Sequence, residues 1–305
     1  MSLGDLPAVE LKQELAAGRL RLRTGPFVTA ITSHLPEVRD GLRQLYADHP
    51  LAPDDAFADF VIRVDRPRGL RRWLRPQVLF EFDREPPFAP LPADQGFPLF
   101  EWGMNWCVSS LGHQYLTLHA AVLERDGRAL ILPAPSGSGK STLCAGLAFN
   151  RWRLLSDELT VIDPADLSVV PVPRPISLKN DSIELIQRFV PGVRFGPIVD
   201  ETGKGRVGHC KPPLDAVLRA GERPRPQWLV LPRYRPGAEA RLEPMAKARA
   251  MMHVVDCAFN IKIHRHRGFE LLSRLVERSD CYEFTYSRLE DAVEIFDALA
   301  GQAAT

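Results

Sequence analysis

The clearest chemistry in this chain lies in one uninterrupted run, Ala134-Pro135-Ser136-Gly137-Ser138-Gly139-Lys140-Ser141-Thr142. A phosphate group needs several donors at close quarters and no side chain in the way. Gly137 and Gly139 let the backbone curl so that successive N–H groups point inward, and a helix that follows adds its positive end. Lys140 supplies a mobile positive charge for β- and γ-phosphates. The Ser141 hydroxyl completes the coordination of the Mg²⁺ ion that accompanies a nucleotide triphosphate. Ser136, Gly137, Ser138, Gly139, Lys140, Ser141 and Thr142 are therefore expected to hold ATP, with Ser141 on the metal. The bland alternative is a chance Gly-Lys-Ser in a loop, and a position between a strand and a helix argues against it. The usual first glycine of such a turn is Ala134 here.

Two carboxylates, Asp157 and Glu158, follow after a short helix and turn. If the strand 152–156 returns parallel to 129–133, its C-terminal end emerges beside the glycine turn, the edge where ligands of open α/β sheets gather. Asp157 is then expected next to the γ-phosphate. An acidic residue there holds Mg²⁺ or takes the proton of an attacking hydroxyl. Without the upstream turn, the pair reads as the start of a turn. His119, between Leu118 and Ala120 in an apolar strand, reads on its own as a hydrogen-bonded core histidine.

The elements that must position these residues are legible around them. LTLHAAVLE at 116–124 and ALILP at 129–133 are β-prone runs joined by Asp126-Gly127, which predicts an antiparallel hairpin. Leu143 and Leu147 share one face of a helix that ends near Asn150, and RLLSDELTVID at 153–163 supplies a further strand or strand pair. Strand, glycine turn, helix, strand is the α/β pattern. Toward the C-terminus, Phe269, Leu272, Leu275 and Val276 line one helix and Leu289, Ala292, Val293, Phe296 and Leu299 another, with a strand at 281–286 between them. All of these are expected in the core.

Residues 1–108 mix both signals. Leu35, Val38, Leu42, Leu45 and Tyr46 fall at helical spacing with Pro36 in the first turn, and strands are predicted at 57–64 and 78–82. The proline-rich segment 84–98 reads as a linker. No residue in this region is attached to chemistry by its type and spacing.

Composition sets the outer limits. The 305 residues carry 39 Lys and Arg against 38 Asp and Glu, a net charge of +1, which argues against a chain held on nucleic acid by counterion release. No apolar run reaches the roughly 18 residues of a membrane span, and the N-terminus resembles no signal peptide, so no membrane is expected and the cytoplasm is the default. Five scattered cysteines, Cys107, Cys144, Cys210, Cys257 and Cys281, form no metal-ligand spacing and read as buried free thiols. Proline reaches 27 residues, marking stiff connections between short elements.

His119-Ala120, the turn 136–141 and Arg153-Leu154-Leu155-Ser156-Asp157-Glu158 resemble, in order and spacing, the core of HPr kinase/phosphorylase. The later stretches PRPISLKN, ETGKGRVGHCKPP and FNIKIHRHRGFELL resemble the branch of HPr-kinase-related kinases. The turn is also similar to that of phosphoenolpyruvate carboxykinase. The resemblance implies an ATP-dependent serine kinase in which Asp157 is the general base, Ser141 a metal ligand, Glu158 a carboxylate in the place of a family aspartate, and His119 part of the active-site neighbourhood. Two departures stand out: Ala134, and the family's Glu-Arg-Gly signature, whose nearest counterpart is Pro173-Arg174-Pro175.

Arg174, Lys179, Lys204, Arg206 and His209 are basic residues that either reach phosphates or an acidic acceptor or are merely solvated. His264-Arg265-His266-Arg267 reads as a surface patch, since two histidines without a third ligand make a poor metal site. The expectation is therefore an α/β protein: a P-loop nucleotide-binding core of the HPr kinase / phosphoenolpyruvate carboxykinase type over 109–305, with a smaller α+β region at 1–108. It would transfer the γ-phosphoryl group of ATP, with Mg²⁺, to a serine of a protein or peptide. Catalysis is assigned to Asp157, His119 and Lys140, and the metal to Ser141 and Glu158. A small-molecule kinase and a non-catalytic ATP sensor remain alternatives, and a homo-oligomer is left open.

Overall fold

In the computed structural model, residues 1–67, 76–135 and 137–302 are described. Ser136, expected among the phosphate-binding residues, lies outside them. The N-terminal region comprises α1 (Ala8–Ala17), β1 (Leu20–Thr24), β2 (Phe27–Thr32), α2 (Pro36–Leu45), β3 (Phe60–Asp65), β4 (Gln77–Phe82), β5 (Leu91–Pro92) and α3 (Gly96–Leu111). Its five strands pair in chain order, with β2 and β3 parallel and the other neighbours antiparallel. Pro36 opens α2, where its missing N–H costs nothing, and Val38, Leu42, Leu45 and Tyr46 turn inward as their spacing predicts. The proline-rich segment is more than a linker: β5 and the start of α3 lie within it, and α3 runs on past residue 108.

The chain continues through β6 (Leu116–Arg125), β7 (Arg128–Pro133), α4 (Lys140–Ala148), β8 (Arg153–Ser156), β9 (Leu159–Ile162), β10 (Val169–Val170), β11 (Ile176–Lys179) and α5 (Asp181–Phe189). Then come β12 (Val199–Thr202), β13 (Gly205–Cys210), α6 (Leu214–Leu218), β14 (Arg225–Tyr234), β15 (Arg241–Pro244), α7 (Lys247–Cys257), α8 (Ile261–Arg278), β16 (Asp280–Tyr286) and α9 (Leu289–Gln302). Eight strands form one mixed sheet in the order β10-β9-β6-β7-β14-β16-β15, with β8 also on β6. Asp126 and Gly127 both take positive φ in the β6–β7 hairpin, as a tight turn of this kind requires.

Alternation along the strands sorts the core. Ala121, Leu123, Leu130, Leu132, Trp228 and Val230 face α4 and α9 on one side of the sheet. Leu118, Ala120, Val122, Ile131, Leu229 and Leu231 face α7 and α8 on the other. Leu159, Val161, Val170 and Val172 join the N-terminal core instead, so the two regions share apolar packing along the β9–β10 edge. A small sheet, β11-β13-β12, stands beside α4 and α5.

One topological detail positions the site. Both β7 and β8 are antiparallel to β6, so β8 runs in the same direction as β7, as expected, but with β6 between them. Ala120 pairs with Pro133 and Val122 with Ser156, so the two strands end at neighbouring points on one edge. β8 and β9 lie end to end along β6, and Asp157-Glu158 is the break between them.

Candidate functional site

β7 delivers the chain into the glycine turn, where Gly137 and Gly139 hold φ of 88° and 87°. An L side chain is strained there, so these positions need glycine. A Cβ on Gly139 would also sit 2.6 Å from the Tyr286 hydroxyl and 2.8 Å from Tyr234 Cβ. Those tyrosines pin the turn from outside: Tyr286 Oη donates to Gly139 O at 2.8 Å, and Tyr234 N donates to Ser138 O at 3.0 Å. Helix α4 begins at Lys140, so the N–H groups of Lys140, Ser141 and Thr142 have no intrahelical carbonyl to meet.

Turn and helix border an open cleft of about 530 Å³. Its walls include Gly137, Gly139, Lys140, Ser141 and Thr142, with His119, Glu158, Lys179, Arg188 and Tyr234 around them. Thr142 Oγ1 donates to Ser182 Oγ at 2.9 Å, tying α4 to the start of α5. Lys140 is only 5% exposed, yet its Nζ has no hydrogen-bond partner. Burial lowers its pKa, and Asp157 and Glu158 work against that shift. A buried ammonium with no counterion in contact is costly, and such groups mark places where a ligand charge belongs.

The break in the β8–β9 strand turns out both carboxylates, but to different depths. Glu158 borders the cleft. Asp157 is one layer deeper, bordering a void of about 10 Å³ that Glu158 also lines. Asp157 Oδ2 accepts from Ser177 N at 3.1 Å, while Oδ1 has no hydrogen-bond partner. Burial first, then the Glu158 charge, push Asp157 up from 3.8 to about 6, against the pull of Lys140, the Ser141 hydroxyl and the Ser177 amide. A carboxylate tuned this way is mostly ionised at neutral pH and still basic enough to take a proton.

His119 stands half-buried on the cleft wall, its ring 5.8 Å from that of Phe259. Burial, and then the Lys140 charge, lower its pKa to about 4, so the ring is neutral at pH 7. Of the other basic candidates, Lys179 lines the cleft, whereas Lys204 stacks over Trp102 at 4.7 Å. Arg206 is bound to Asp200 and Glu184. His209 is buried against Phe97 with neither ring nitrogen bonded, and borders the small void.

Arg174 does not reach the cleft. It is the centre of a buried network that joins the N-terminal region to the carboxylates. Its guanidinium donates to Glu101 Oε2 at 2.7 Å and to Asn105 Oδ1 at 2.9 Å. Tyr46 Oη donates to Glu101 Oε1 at 2.7 Å, and Asn105 Nδ2 donates to Glu158 Oε2. Residues 1–108 therefore reach the candidate site through Glu101 and Asn105 on α3. In the sequence both look like ordinary polar positions in a very apolar helix, and a single Glu among apolar neighbours is their only trace.

Among the described residues, no three His, Cys, Asp or Glu side chains gather into a self-sufficient metal site. The oxygen donors of Ser141 and Glu158 instead suit a hard cation that takes its remaining ligands from phosphates and water. No helix among the described residues is long and apolar enough to cross a membrane.

Residues 106–174 match a protein family described as SynChlorMet cassette protein ScmC. The matched stretch runs from the end of α3 through His119, the glycine turn and Asp157-Glu158 to Arg174. No curated protein matches the chain.

Proposed function

We propose that the chain is an ATP-dependent kinase with a P-loop core of the HPr kinase type, transferring the γ-phosphoryl group to a serine hydroxyl of a protein or peptide. The observation that carries this reading is Lys140: a buried, unpartnered ammonium at the head of α4, between two left-handed glycines and two carboxylates, and facing an open cleft. In this reading the turn amides and Lys140 grip the phosphates, and catalysis comes from positioning and charge neutralisation. Ser141 and Glu158 would hold Mg²⁺, whose contribution is to neutralise charge on the β- and γ-oxygens. Asp157 takes the serine proton on its free Oδ1. Neutral His119 lines the acceptor side of the cleft, offering a hydrogen bond without a competing charge.

Lys140→Ala should abolish ATP binding in a calorimetric titration, and an unchanged affinity would remove the nucleotide site. Asp157→Asn should spare binding and stop phosphoryl transfer, followed with γ-labelled ATP in an extract of the source cells. One observation favours a second reading, an ATP-binding sensor without turnover: Asp157 is set behind Glu158 rather than on the cleft wall. ATP binding with no labelled acceptor would favour that sensor.

A further inference from the structure

The cleft opens beside a surface that the site does not use. Helix α7 ends at Cys257, a half-buried thiol within electrostatic range of the Lys140 ammonium. The following elbow is fastened to the head of β6. Phe259 N donates to Thr117 O at 3.0 Å, Asn260 Oδ1 accepts from Thr117 N at 3.0 Å, and Asn260 Nδ2 donates to Tyr115 O at 2.8 Å. His264 Nε2 lies 3.0 Å from Tyr115 O. This fastening places Phe259 beside His119 while leaving it 50% exposed.

Phe259 is not alone. Ile263 is 53% exposed, Phe269 54% and Met252 72%, although the periodicity of α8 predicts Phe269 in the core. The segment from Cys257 to Phe269 also carries Lys262, Arg265 and Arg267, with acidic residues only at the two flanking positions, Asp256 and Glu270, the latter beside His266. The three cations are exposed, and none has an ion-pair partner among the described residues. Arg265 takes φ of 53°, which kinks α8 after its first turn. An arginine in that conformation is strained.

We propose that the α7–α8 elbow is the docking surface for the phosphate acceptor, and that the acceptor is a peptide segment carrying acidic side chains and an apolar anchor near its serine. The apolar residues give the anchor a dry contact and the unpaired cations select its charge. Phe259 joins this surface to the His119 wall of the cleft. The identity of the occupant as a phosphorylation substrate rests on the kinase reading, whereas the docking itself does not.

The test uses the full chain and two short fluorescein-labelled peptides, each with one serine, one built of Glu and Leu and the other of Lys and Leu, read by fluorescence anisotropy. The acidic peptide should bind at least roughly tenfold tighter than the basic one. Its affinity should fall at least roughly tenfold in Ile263→Ser and in the double variant Lys262→Glu/Arg267→Glu. ATP binding of those variants should be unchanged, which shows that they fold. Docking should survive in Lys140→Ala, so loss of the nucleotide site and loss of the docking surface are separately visible. Equal affinity for the two peptides, or affinity indifferent to the variants, overturns the proposal. So does a dimer dissolved by Ile263→Ser without peptide binding, or tighter binding of a single-stranded DNA oligonucleotide or an anionic vesicle than of the acidic peptide.

Discussion

Asp157 offers a test that needs no substrate. Its carboxyl is buried, and its pKa rises from 3.8 to about 6 on folding. The folded protein therefore holds this proton more tightly than the unfolded chain does. Between those two values the native state binds more protons, so stability falls as pH rises through that window. A shift of this size corresponds to about 3 kcal/mol lost by the time the group is ionised, and to no loss below the unfolded value. Asp157→Asn removes the titration and keeps an oxygen for the Ser177 amide. Its new amide N–H takes the place of Oδ1, which has no partner, at a pH-independent cost of about 1 kcal/mol. The stability of the Asn variant minus that of wild type should therefore rise by about 2 kcal/mol between pH 4 and pH 7.5, the first part of the loss having occurred below pH 4. Urea denaturation of both proteins across that range measures it. A difference that stays flat with pH would show that Asp157 ionises in the native state as readily as in water, and the tuned-base argument would fail.

Three further outcomes follow from the same geometry. Arg174→Met leaves Glu101 buried without its counterion and should cost about 3–5 kcal/mol in denaturant, whereas replacing Arg174 and Glu101 together by apolar residues should cost far less. Asn105→Ala frees Glu158 from its tether and should weaken Mn²⁺-ATP binding several-fold while leaving metal-free ATP binding near wild type, as titration calorimetry would show. Gly139→Ala places a side chain at positive φ against Tyr286 and Tyr234, so it should cost about 1–3 kcal/mol in thermal or urea unfolding and reduce ATP affinity together with stability.

The parts of the site that obey local rules were readable from the residues. The glycine turn, the hairpin at Asp126-Gly127 and the start of α4 each depend on neighbours in sequence. The residues leave open whether 153–163 is one strand or two, and the break at Asp157-Glu158 is decided by how both halves register against β6. The depth difference between the two carboxylates arises from that same break. Tyr234 and Tyr286 were also invisible as supports of the turn, since β14 and β16 arrive there from a distant part of the chain. Phe269 shows the opposite error: its helical spacing is apolar, but it points outward on a face that no element of the described residues covers. Free thiols matched expectation for Cys107, Cys144, Cys210 and Cys281, which are buried, while Cys257 is half-buried near Lys140.

Helix α3 gives the molecule an indivisibility that its chain order conceals. Its apolar face belongs to the N-terminal core along its whole length, and its polar residues grip Arg174 and Glu158. A fragment starting at residue 109 would strand a guanidinium in the interior and release a carboxylate of the cleft. Occupancy of the cleft and integrity of the first hundred residues are thus thermodynamically linked, so a ligand at the glycine turn should slow proteolysis in α2 and α3 as well as around itself.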